Sequence, residues 1–220
     1  MVYPDKIIRS KRKSLSISVD AFGRLIVRAP QACSEERIFA FLSQKENWIR
    51  KKQAERAATT RSLPPENLDG YTFLLLGKPC KIRLTEEKNI RYDQETCVVY
   101  LPNKNARARL VKWLKENAER IFTQVTAQCA EKMQTRFQSV KINSAKTRWG
   151  CCTADNRIRY TFRLLYAPKE VIEYVVVHEL SHIKRKDHSK RFWAEVEKYD
   201  PHWKAHRAWL KRNGILMEIF

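Results

Sequence analysis

Three of the five histidines and one glutamate crowd into a single short stretch, His178-Glu179-Leu180-Ser181-His182, with His188 six residues on. Residues four apart on a helix project from one face about one turn apart, so the imidazoles of His178 and His182 can reach a single cation. Glu179 between them is poorly placed to be a ligand. It can instead take a proton from water acidified by that cation, the role of a general base in hydrolysis. A catalytic zinc uses three protein ligands and keeps a fourth position for water.

The third ligand constrains the backbone. If one helix ran straight through, His188 would point roughly 120° away from His182 and could not share the ion. The chain must therefore leave the helix between about Lys184 and Asp187. Ser189 is a fitting N-cap for a new helix with the apolar stripe Phe192, Trp193, Val196 and Tyr199, which leaves His188 in the turn between. His202, His206, Glu195 and Glu197 are the alternatives for this ligand. Tyr160, Tyr199 and His202 are candidates for an electrophilic donor, and Arg148 for contact with an oxyanion or a phosphate.

The elements that must position these groups are legible in outline. Pro168 suits the first turn of a helix over Val171–Ile183, whose Val175-Val176-Val177 marks a buried face. Before it, the pattern gives a strand at Val140–Ile142, a turn at Lys146–Gly150 and a strand at Ile158–Leu164. This last strand is expected to be an edge to which an extended peptide adds. A long amphipathic helix is expected over about 105–135, with the stripe Leu110, Trp113, Leu114, Ile121, Phe122, Val125, Cys129 and Met133.

In the first hundred residues, Leu15, Ile17 and Val19 alternate with serines. Ala21-Phe22-Gly23-Arg24 supplies a turn, and Leu25-Ile26-Val27 returns. That pattern predicts a hairpin with the basic stretch Arg9–Lys13 along its first strand. Ser34 opens a helix carrying Ile38, Phe39, Leu42, Trp48 and Ile49 and ending in the basic turn Arg50–Lys52. Residues 58–70 read as a linker, and Tyr71–Leu76, Cys80–Leu84 and Cys97–Leu101 as short strands. The expected fold class is α+β: a β-rich N-terminal region over 1–103 with one helix, then a metal-hydrolase domain over 104–220.

Bulk properties narrow the setting. No apolar run is long enough to span a bilayer, and the N-terminus lacks the pattern of a signal peptide. Six cysteines without a C-x-x-C are expected as free thiols in a reducing compartment. Both point to the cytoplasm and away from a membrane. A net charge of +20 attracts phosphate-bearing or acidic partners. Nucleic acid bound through Arg9–Lys13 and Arg50–Lys52 is one such partner, and a phosphate-bearing small molecule is another.

Four blocks in fixed order carry a resemblance: Arg148-Trp149-Gly150-Cys151-Cys152, then Ile158 to Pro168, then Val175 to His182, then Asp187-His188-Ser189-Lys190-Arg191-Phe192-Trp193. Together with Arg9–Lys13, Trp48-Ile49-Arg50 and Leu76-Gly77-Lys78-Pro79, they resemble the YgjP-like metallopeptidase family, relatives of the SprT-like zincins. Cys151 stands where the family usually has serine, and Thr161 where it usually has asparagine. The resemblance implies a zincin-like catalytic domain, one zinc ion on His178, His182 and His188, Glu179 as catalytic residue, and a peptide or protein substrate. Two other functions fit the same residues. One is a metal-dependent nucleotide phosphohydrolase splitting a phosphoanhydride. The other is a nucleic-acid-binding protein or nucleic-acid-tethered protease.

Overall fold

The computed structural model describes residues 2–20, 23–60 and 64–220. Ala21 and Phe22 of the expected turn, and residues 61–63 of the expected linker, lie outside them. The chain divides into two compact units, Met1–Leu63 and Pro64–Phe220.

In the first unit, β1 (Lys6–Ser10), β2 (Ser16–Val19) and β3 (Leu25–Pro30) form a three-stranded sheet with β3 in the centre. β2 and β3 are antiparallel, as the alternation predicts. The basic stretch is not on that hairpin. Arg9 belongs to β1, which pairs parallel to β3, and Lys11–Lys13 follow the strand. Leu25, Val27 and Ala29 point alternately inward onto α1 (Glu35–Gln44) and α2 (Glu46–Thr60), burying against Ile38, Leu42 and Ile49. The Ser34 hydroxyl accepts from the Arg37 amide at 3.3 Å, the predicted cap. The expected single helix is two, broken at Lys45, whose amide turns back to the carbonyls of Leu42 and Ser43.

The second unit opens with β4 (Thr72–Leu75), β5 (Lys78–Thr85), β6 (Arg91–Asp93) and β7 (Val98–Pro102), a sheet ordered β4-β5-β7-β6. Then come α3 (Ala106–Lys132), β8 (Ser139–Asn143), β9 (Gly150–Cys152), β10 (Arg157–Thr161), α4 (Lys169–Lys184), α5 (Lys190–Tyr199) and α6 (Trp203–Arg212). Phe73, Leu75, Ile82, Val99 and Leu101 share one core with Leu110, Leu114 and Phe122 of α3 and Val175 and Val176 of α4. The compact units therefore part before Pro64, not at 103: the apolar face of the first sheet in this unit needs α3 and the elements after it to cover it.

The second sheet is ordered β8-β10-β9, with β10 parallel to β8 and antiparallel to β9. β10 is thus central and cannot be the edge that accepts a peptide; β8 and β9 are the edges. It is also shorter than the apolar run suggested. Phe162–Tyr166 are all buried, but they coil into a 3₁₀ turn leading to α4. Among the described residues, no helix is long and apolar enough to cross a membrane. Helices and sheets are mixed through both units, and the α+β class holds.

Candidate metal centre

α4 packs against α3, α5, α6 and β9, with Val171, Ile172, Tyr174–Val177 and Leu180 buried. That burial fixes the roll of the helix and turns His178 and His182 together toward β9 and the start of α5; their ring centroids are 4.9 Å apart. The helix stops at Lys184, and Arg185 is extended. Ser189 caps α5 through the Phe192 amide. His188, in the turn between, swings back until its Nε2 lies 3.2 Å from Nε2 of His178.

One nitrogen from each of the three histidines falls within 4.8 Å of the others. His182 Nδ1 lies 3.0 Å from the Arg185 carbonyl, so a proton donated there leaves Nε2 with its lone pair toward the cluster. Phe192 stacks on His182 at 4.5 Å and meets the edges of His178 and His188, both at 4.9 Å, locking the rings in place. Trp193 stacks on His188.

These nitrogens suit a tetrahedral cation. With bonds of about 2.0–2.1 Å, two ligands of a tetrahedral zinc stand about 3.3 Å apart, close to the 3.2 Å between His178 and His188. His178 Nδ1 is buried with no protein partner. Burial, then the positive fields of His182, His188 and Arg207, hold His178 down at about 3, so it is neutral and ready to ligate at ordinary pH.

Glu179 is 5% exposed and lies against β9. Burial pushes its carboxyl up to about 8, opposed by the backbone of Cys152 and by the positive charge of Arg148. A Cβ on Gly150 would stand 2.7 Å from Glu179 Oε1 and 2.9 Å from Cγ. Only glycine leaves room for the carboxylate there. Lys186 reaches the Thr153 carbonyl and Asn156 Oδ1, both at 3.0 Å, tying the His188 turn to the turn after β9. These groups line an open cleft of about 580 Å³ that also takes in Thr147, Arg148 and Cys151.

The other candidates lie elsewhere. Tyr160 is fully buried, its hydroxyl 3.2 Å from Thr126 Oγ1, a core residue. Tyr199 lines a separate cavity of about 110 Å³ with Tyr174 and His206, and His206 bonds Asp200 at 2.8 Å. His202 is exposed at the start of α6, outside the cleft lining. Glu195 pairs with Lys184 at 2.7 Å and Glu197 is exposed. The six cysteines are free. Of the residues weighed for nucleic acid, Arg9 spends Nη1 on the carbonyls of Pro30, Gln31 and Cys33, while Arg50 and Lys52 pair with Glu46 and Glu55.

The sequence pattern of the YgjP-like metallopeptidase domain matches residues 13–213. The chain belongs to the YgjP-like metallopeptidase family. Membership makes it a metal-dependent peptidase, with a metal cofactor and a peptide or protein substrate. Two metallopeptidase zymogens are similar over part of the fold. Jannalysin of Methanocaldococcus jannaschii is 15% identical with a TM-score of 0.39, covering 42% of this chain and 95% of its own. Abylysin of Pyrococcus abyssi is 22% identical with a TM-score of 0.38, covering 41% and 93%. None of the curated proteins matches the chain. Within this YgjP-like site, reading the residues in one dimension missed Gly150, the Cys152 backbone and Lys186. A glycine right after Arg148-Trp149, in a chain with only five glycines, is the one hint it offered.

Proposed function

We propose that this metallopeptidase is zinc-dependent, with His178, His182 and His188 holding one ion and Glu179 acting as general base. The observation that carries the reading is the convergence of three imidazole nitrogens beside a buried carboxylate lying against a strand. Three imidazoles without a thiolate, leaving a position open, are a catalytic zinc set. When bound, the ion would polarise the scissile carbonyl and make water more acidic.

Glu179 accepts a proton from the attacking water and delivers it to the leaving amine as the C–N bond breaks. β9 bounds the carboxylate on one side, and Gly150 lets it approach. β9 is the edge strand beside the cleft. An extended peptide would pair along it, passing Gly150 where the strand lies closest to Glu179. The free thiols fit a reducing compartment, the cytoplasm.

The test compares wild type and Glu179→Gln on an unstructured protein substrate and on nucleoside triphosphates. Protein cleavage lost in Glu179→Gln supports the proposal. Glu179-dependent phosphate release without protein cleavage would replace it.

A further inference from the structure

Arg148 stands on a loop whose fixation comes from outside the loop itself. Arg163, only 2% exposed, donates to the Ser144 carbonyl at 3.0 Å and, on its other side, to the carbonyls of Ile219 (3.0 Å) and Phe220. Thr161 donates its hydroxyl to the Ala145 carbonyl at 2.9 Å and its amide to the Trp149 carbonyl at 3.0 Å. Lys146 lies 3.8 Å from Glu218. Both ends of the segment carrying Arg148 are thereby held.

Its guanidinium nonetheless acts on the protein only through its field on Glu179. It is exposed, lines the cleft, and has no hydrogen bond or ion pair among the described residues. The other cation of the cleft, Lys186, is consumed by Thr153 and Asn156. Glu179 is the only acidic residue among the described residues of the lining, and it forms no ion pair with Arg148. A guanidinium on an anchored loop at the mouth of a peptidase cleft, with no hydrogen-bonded partner, is a fork of donors with no acceptor. Its exposure argues against a role at the reacting oxygen, which would need a water-excluded site. A planar carboxylate matches the fork in two parallel hydrogen bonds.

We propose that Arg148 receives a carboxylate of the substrate, so that the enzyme selects peptides with an Asp or Glu side chain, or a free C-terminus, next to the cleaved bond. This rests on the peptidase reading above and names the substrate class of the same site.

The test uses otherwise neutral peptides, amidated at the C-terminus, carrying Glu, Gln or Lys beside the cleaved bond, and a Gln peptide with a free C-terminus there. Wild type should favour the Glu or the free-carboxylate peptide over the amidated Gln peptide by about tenfold in kcat/KM, carried by KM. The arm that shows the preference identifies the source of the carboxylate. Arg148→Gln should bring the ratio to about one, Arg148→Glu should turn it toward Lys, and Arg148→Lys should restore part of it. Equal rates of wild type on all peptides, or a preference that survives Arg148→Gln, would overturn the proposal. Binding of the same labelled peptides to Glu179→Gln protein gives a second reading without turnover. Charge-selective binding that depends on Arg148 would uphold the carboxylate site even if no peptide were cleaved, and equal binding would reject it.

Discussion

Replacing Gly150 with alanine would drive a methyl group into the space held by the Glu179 carboxylate. The added carbon would stand 2.7 Å from Oε1 and 2.9 Å from Cγ, against ordinary contact at 3.4 Å or more. The carboxylate must then retreat by about 0.7 Å from its place beside β9. Gly150 is outside the left-handed region, so alanine meets no backbone strain and the strand should survive. A misplacement of this size at a catalytic group costs on the order of 100-fold, and a general base contributes about 100- to 10,000-fold. The expected result is a kcat about 100-fold below wild type, with KM little changed. Zinc content should be retained, because the histidine nitrogens do not depend on Gly150. Peptide kinetics and metal analysis on the same preparation decide it. A kcat within threefold of wild type with zinc intact would refute the role given to this contact. Loss of zinc in step with activity would show that the helix moved rather than the carboxylate.

In metal-free protein, the carboxyl of Glu179 at about 8 lies above its unfolded value, so its contribution is full below about pH 4.5 and is lost as pH rises through 8. Glu179→Gln removes that loss, so metal-free Glu179→Gln should gain on wild type between pH 5 and 9, by at most about 5 kcal/mol, read by urea unfolding; a gap independent of pH would contradict this. His178, depressed to about 3, destabilises both proteins as pH falls below about 6.5 and cancels in the difference. Arg163→Met should cost about 1–3 kcal/mol in the same assay, since it strips the buried Ile219 carbonyl and the partly buried bonds to Ser144 and Phe220 of their donor; no measurable loss would show the anchor to be unimportant. Phe192→Ala empties a fully buried site stacked on His182, and should cost about 3–5 kcal/mol and weaken zinc binding measured by competition with a chelator. Unchanged affinity would mean the rings are held without it.

What could be read in one dimension depended on how local the physics was. His178, Glu179 and His182 follow from helical periodicity alone, and the turn at His188 follows from asking how a third imidazole could return, with Ser189 marking where the next helix starts. The Ser34 cap and the β2–β3 hairpin are likewise short-range. Features that depend on distant partners were not legible. β1 pairs parallel to β3 across a connection no periodicity reports. The run Ile158–Leu164 is apolar enough for a strand, yet the chain coils after Thr161 because all of Phe162–Tyr166 must face the core. Tyr160, on paper a donor for the site, is turned toward Thr126 by that same core. Residues 64–103 carry no mark that their sheet needs α3 as its cover. Gly150 and Glu179 are far apart in sequence, and their contact exists only once β9 lies on α4.

X-ray absorption on the purified protein loaded with one equivalent of zinc tests the coordination most directly. Three imidazole nitrogens at about 2.0–2.1 Å and one light-atom ligand are expected. That signal should keep its shape in Glu179→Gln and lose one imidazole in His188→Ala. Sulfur at about 2.3 Å from Cys151 or Cys152, or no stoichiometric zinc at all, would contradict the account.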